Sequence, residues 1–83
     1  MTNIRLHDVV ALMEDTKAQR FPLGEEILLY QGQVGTVVEE FEQGEAFEVE
    51  FSGDDGQTYA MLTLEPQKLM LLHFEPVELM VAS

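Results

Sequence analysis

Residues 32–51 constrain this chain more than any other stretch. They read Gly-Gln-Val-Gly-Thr-Val-Val-Glu-Glu-Phe-Glu-Gln-Gly-Glu-Ala-Phe-Glu-Val-Glu-Phe. Val34, Thr36, Val37 and Val38 are β-branched, and such side chains suit a pleated, half-buried surface. Beyond them, Phe47, Val49 and Phe51 alternate with Glu48 and Glu50, a period of two that collects the apolar residues on one face. Between the runs lies Glu42-Gln43-Gly44-Glu45, where Gly44 takes positive φ without steric penalty. The pattern predicts a β-hairpin with Phe47, Val49 and Phe51 turned toward the core.

The flanking segments supply further strands. Residues 8–14 (Asp-Val-Val-Ala-Leu-Met-Glu) form a short apolar run bounded by acids, whose length and β-branched content favour a strand buried on both faces, although Ala11-Leu12-Met13 would also suit a helix. Residues 15–24 lack periodicity and contain Thr16, Pro22 and Gly24, so they are expected to form a loop. Lys17 and Arg20 give this loop a basic character within an acidic whole. Residues 25–30 (Glu-Glu-Ile-Leu-Leu-Tyr) fit either a helical turn ending at Gly32 or the lead-in to the next strand. After the hairpin, Ser52-Gly53-Asp54-Asp55-Gly56 is a dense turn signal. A strand over residues 57–64 then places Thr58, Ala60, Leu62 and Leu64 on one face. Glu65-Pro66-Gln67-Lys68 interrupts it with one 3₁₀ turn, and residues 69–74 form the last strand.

Five short strands with a long first connection and a Pro-led break before the last predict an all-β fold. Its expected form is a small SH3-like barrel over residues 1–75, followed by an apolar tail over 76–83; closure would remove the exposed edges of so small a sheet. A chain of 83 residues has room for one core and buries only about 60% of its unfolded surface. With no cysteine, it has no disulfide framework, thiolate metal site or Cys nucleophile. The start, Met-Thr-Asn-Ile-Arg-Leu-His-Asp, lacks the apolar stretch of a secretory signal, and no apolar run approaches membrane-spanning length. The expected location is the cytoplasm.

The balance of 4 Lys+Arg against 16 Asp+Glu leaves a net charge of −12. Such a chain repels a phosphate backbone and an anionic membrane surface, so neither nucleic acid nor a membrane is an expected partner. The bland reading of this charge is solubility. The sharper one is a basic partner facing an acidic face made of Glu39, Glu40, Glu42, Glu48 and Glu50 on the central hairpin. Like charges opposite one another across a strand pair are destabilising, so their retention there is notable.

Several of these stretches together resemble a known family. Leu-His-Asp-Val-Val-Ala-Leu at residues 6–12, Gly32-Gln33-Val34-Gly35-Thr36-Val37-Val38-Glu39, Phe47-Glu48-Val49-Glu50-Phe51 and Asp55-Gly56-Gln57-Thr58 resemble the bacterial domain of unknown function 4926, common in cyanobacteria. The likeness covers roughly residues 4–74. The Gly-x-x-Gly-Thr-Val-Val core is also similar to KOW-type and nitrile-hydratase-β-like barrels. Residues 21–30 are longer than the family norm, and the tail after Phe74 is extra. The resemblance implies a fold and no activity.

Catalytic and metal constellations are thin. Ser52, His73 and Asp54 make a set of triad residue types, but no nucleophile elbow surrounds Ser52. His7-Asp8 and His73 fall short of the three or four ligands that zinc takes. Asp54-Asp55-Gly56 lacks the alternating oxygen ligands and distal Glu of a calcium loop, and predicts a plain turn. Gly32 and Gly35 precede neither a Lys nor a helix, so they form no phosphate cradle. No catalytic, cofactor or metal residue is assigned, and no cofactor is expected.

The C-terminal end offers more. Leu72, Phe74, Val77, Leu79, Met80 and Val81 are too many apolar residues for a short strand and a free end. Either the tail covers the open end of the barrel, or it is a protein interface, since Met and Leu adapt to partner surfaces and an extended end can add to a neighbour's sheet. The expected function is a non-enzymatic interaction module, an acidic adaptor or complex subunit binding another protein, a second copy of itself included. Two alternatives stand beside it: an accessory subunit of an enzyme complex, as in nitrile-hydratase-β-like barrels, and an acidic inhibitor or antitoxin that mimics nucleic acid.

Overall fold

The computed structural model describes residues 3–78, Met80 and Val81. Its fold is all-β and barrel-like. Seven strands follow in order: β1 (Val9–Leu12), β2 (Thr16–Gln19), β3 (Glu26–Leu29), β4 (Val34–Phe41), β5 (Ala46–Ser52), β6 (Thr58–Leu64) and β7 (Leu69–Leu71), with one 3₁₀ turn (Pro66–Lys68) before the last. Five of them form an antiparallel sheet in the order β6-β5-β4-β1-β7, and β2 and β3 form a separate two-stranded ribbon.

The central hairpin is β4–β5. Its turn, residues 42–45, bends through positive φ at Gly44 (99°) and also at Glu42 (53°) and Gln43 (57°), two non-glycine residues in the left-handed region that L side chains enter reluctantly. Phe47, Val49 and Phe51 are fully buried and share the core with Val10, Leu12, Val37 and Ala60. Leu62, Leu64 and Leu71 pack partly buried against them. The alternation of β5 therefore sorts its residues as expected.

Gly35 lies in the same core, paired with Val10. A Cβ at Gly35 would meet Val49 Cγ1 at 2.7 Å, the Glu50 carbonyl oxygen at 2.9 Å and Phe51 Cδ1 at 2.9 Å. Glycine is required here by close approach, with the β4 backbone lying directly against β5 side chains.

The segment 15–24 departs from expectation. Its first part is strand β2, paired with β3 through Thr16↔Leu29, Lys17↔Leu28, Ala18↔Ile27 and Gln19↔Glu26. Ala18 and Leu29 are buried, whereas Lys17 and Leu28 face outward. The ribbon is amphipathic only across its two strands, because in Thr-Lys-Ala-Gln the single apolar residue inside is an alanine. No window along β2 alone carries that signal. The ribbon also resolves residues 25–30 as a strand.

Lys17 sits 3.8 Å from Glu26, and Arg20 sits 3.7 Å from Glu25. The basic character of 15–24 is thus matched by acids across the ribbon. Exposed pairs of this kind add little stability. At its far end the ribbon docks on β6 through the Arg20↔Ala60 bridge and a 2.6 Å hydrogen bond from the Phe21 N–H to the Tyr59 carbonyl. The Phe21–Pro22 peptide is cis.

This docking covers the β6 edge. At the other end of the sheet, among the described residues, β7 pairs only with β1, and there it is the edge strand. Such a short edge strand presents few unpaired groups. The last strand is also shorter than the expected 69–74. Leu72 still donates to the Val9 carbonyl at 3.0 Å, but the ladder ends at Leu71, and Phe74 is 81% exposed.

Candidate functional site

Among the open clefts on the described surface, two bear on the candidate residues. One lies between the β4–β5 turn, the 3₁₀ turn and the N-terminal residues, and is lined by Ile4, Ala46, Pro66, Leu69, Leu71 and His73 among others. The second lies between the ribbon tip and the β5–β6 turn, with Arg20, Phe21, Ser52, Asp54, Asp55 and Tyr59 on its walls. Arg20 stacks over the Tyr59 ring at 5.9 Å from its centroid, within cation–π range.

These clefts separate the residue types of the paper triad. Ser52 and Asp54 line the second cleft and His73 the first. His73 is exposed, the ladder having already ended at Leu71. His7 is exposed beside β1 with φ at 76°, and its backbone N–H donates to the Val37 carbonyl at 2.8 Å. Among the described residues, no group of three or more His, Asp or Glu is placed to hold a metal ion.

Asp54-Asp55-Gly56 is a turn. The Asp55 carboxylate accepts the Gln57 N–H at 3.0 Å, Gly56 donates to the Gly53 carbonyl at 3.0 Å, and Gly56 has φ at 79°. One Asp55 oxygen is thus spent on closing the turn.

The acidic face divides in two. Across β4 and β5 the register is Thr36↔Glu50 and Val37↔Val49, then Glu39↔Glu48 and Glu40↔Phe47, with a bulge between Val37 and Glu39. Residues opposite one another share a face. Glu39, Glu48 and Glu50 therefore stand together on the outer face. Glu40 falls on the side of Phe47, and Glu42 sits in the turn. The bulge absorbs Val38 as an extra residue and so reverses the alternation expected from spacing alone. Within the outer group, Glu39 and Glu48 form a like-charge cross-strand pair. The Glu50 carboxylate accepts the Thr58 hydroxyl at 2.5 Å.

Outward positions continue across β1 and β7. The pairing Ala11↔Val34 and Ala11↔Met70 sets Val34, Ala11 and Met70 in one row, with Val34 46% and Met70 50% exposed and Ala11 between them only 8%. Val9, opposite Thr36, borders that row. Spacing along β4 or β7 taken singly does not reveal this apolar row, because it exists only across three strands.

The described part of the tail is exposed. Beyond the half-buried Leu72, Phe74 is 81%, Val77 67%, Met80 98% and Val81 89% exposed; Leu79 lies outside the described residues. The radius of gyration is 14.0 Å, with extents of 55 × 29 × 20 Å, above the roughly 12 Å of a compact chain of this length. Among the described residues, no helix is long and apolar enough to cross a membrane.

A family model described as a domain of unknown function (DUF4926) matches residues 6–71. The chain belongs to the DUF4926 family. The match ends where strand β7 ends, so the apolar tail lies beyond the stretch matched by the family model. No curated protein and no solved structure matches the chain.

Proposed function

We propose that this DUF4926 protein is a non-enzymatic interaction module, a cytoplasmic adaptor or complex subunit. It binds another protein chain, a second copy included, through Leu72 and the apolar tail. The observation that carries this reading is the exposure of Phe74, Val77, Met80 and Val81 beyond the last strand. Large apolar side chains left in solvent in this number favour a binding role. Each large side chain buried there contributes about 1.5–3 kcal/mol before association costs are subtracted.

We read the body as an SH3-like barrel that serves as the platform for this tail. Supporting this are the sheet order β7-β1-β4-β5-β6, the long ribbon between the first two sheet strands, and the 3₁₀ turn before the last strand.

Light scattering on the full chain and on a chain ending at Glu75 tests the proposal. The expected result is a mass that rises with concentration for the full chain only, in 0.15 M salt, where charges more than about 8 Å apart are screened. If both chains stay monomeric at high concentration and melt together, the tail is no interface for a second copy of the chain.

A further inference from the structure

The outer face of the sheet has the layout of an interface, and it lies apart from the tail. Its centre is the apolar row Val34–Ala11–Met70 bordered by Val9, and its flank is the trio Glu39, Glu48 and Glu50 on β4 and β5. An apolar centre with a charged rim is how protein interfaces are built. No ion pair joins Glu39, Glu48 or Glu50 to a basic side chain among the described residues. Among the described residues, Lys17 pairs with Glu26, Arg20 with Glu25 and Lys68 with Glu14, so three of the four basic side chains are committed to other acids.

We infer that this face docks a basic protein, one that presents an extended segment with alternating apolar and cationic side chains. Charge complementarity selects that occupant. A second copy would bring its own Glu39, Glu48 and Glu50 against the same rim, and two chains of net charge −12 repel there, whereas a lysine or arginine placed between Glu39 and Glu48 removes the repulsion of that pair. The apolar row supplies what charge alone lacks, a dry centre that fixes where the segment lies. This inference rests on the reading of the chain as an interaction module, but it uses different residues from the tail.

The test follows backbone amides of the full-length, isotope-labelled chain by NMR during titration with three capped octapeptides: alternating Lys and Val, alternating Glu and Val, and octalysine. The Lys/Val peptide is expected to produce saturable shifts centred on Val9, Val34, Glu48 and Met70, and the Glu/Val peptide none. Combining Glu48→Lys with Met70→Lys should weaken binding at least tenfold. Both positions are on the surface, and circular dichroism confirms that the variant is folded. Val77→Ser with Met80→Ser, which keeps the charge, reads the tail separately, and loss of binding there would place the peptide on the tail.

Three results overturn the inference. One is an equal and diffuse response to octalysine across all the acids, meaning charge without a site. Another is loss of binding in the tail variant but not in the face variant. The third is shifts at Val34 and Met70 on raising protein concentration without peptide, which makes a second copy the occupant.

Discussion

Adding one methyl group at Gly35 should destabilise the barrel by wedging β4 away from β5. No positive φ is required at Gly35, so alanine fits the backbone and even gains about 0.4–1 kcal/mol by restricting the unfolded chain. Against this stands the clash. The new Cβ lies 2.7 Å from Val49 Cγ1 and 2.9 Å from Phe51 Cδ1, well inside the 3.5–4.0 Å at which carbon atoms attract. Both partners are fully buried and have no space to rotate into. The third contact, 2.9 Å to the Glu50 carbonyl, is backbone in the β4–β5 ladder.

Relief therefore requires β4 and β5 to separate. Overpacking of this kind costs about 1–3 kcal/mol, occasionally more, and a backbone partner places Gly35→Ala at the upper end. The net loss is about 2–3 kcal/mol. For a domain of this size each kcal/mol moves the midpoint by about 4–8 °C, so the melting temperature should fall by roughly 10–20 °C. The chain has no Trp, and far-UV circular dichroism with heat and urea is the suitable assay. Trimming Val49 to Ala in the same chain removes the closest contact, so the double variant should lose less than the two single losses added together. A Gly35→Ala chain melting within about 2 °C of the parent would refute the close approach.

Further outcomes follow from the same geometry. Phe51→Ala should lose about 3–5 kcal/mol, enough to unfold a domain whose total stability is about 4–12 kcal/mol; a melt within a degree or two of the parent contradicts the register of β5. Glu48→Gln should raise stability by about 0.2–1 kcal/mol at low salt by relieving the pair with Glu39. That gain should shrink in 0.5 M salt, and a loss in urea denaturation would show the pair is not repulsive. Mobility-shift assays at 50 mM salt should show no complex with DNA or RNA, and a micromolar shift would revive the likeness to KOW-type barrels.

Different parts of the chain were legible to different degrees. The faces of β5 follow from one strand's own alternation, and Phe47, Val49 and Phe51 lie where that alternation puts them. Strand β2 was missed because Thr-Lys-Ala-Gln carries its burial in one alanine and becomes amphipathic only when Ile27 and Leu29 are opposite it. The acidic face is narrower than spacing along β4 suggests, since the bulge at Val38 exchanges the faces of Glu39 and Glu40, turning Glu39 outward beside Glu48 and Glu40 to the side of Phe47. The last strand was drawn too long for a related reason. Leu72, His73 and Phe74 are apolar enough for a strand, but strand length is set by the partner, and β1 begins at Val9.

By itself, then, the sequence determined what local periodicity and turn chemistry determine: an all-β chain, the central hairpin, the Pro-led 3₁₀ turn, and a family match over residues 6–71. The tertiary structure alone decided which residues become neighbours across strands. It set Glu39 against Glu48, joined Val34, Ala11 and Met70 into one row, parted Ser52 from His73, and left Phe74 and Met80 in solvent. The physical reason is that a side chain's face is fixed by its own strand, whereas its neighbours on that face depend on register, and register is set by pairings between segments distant in the chain.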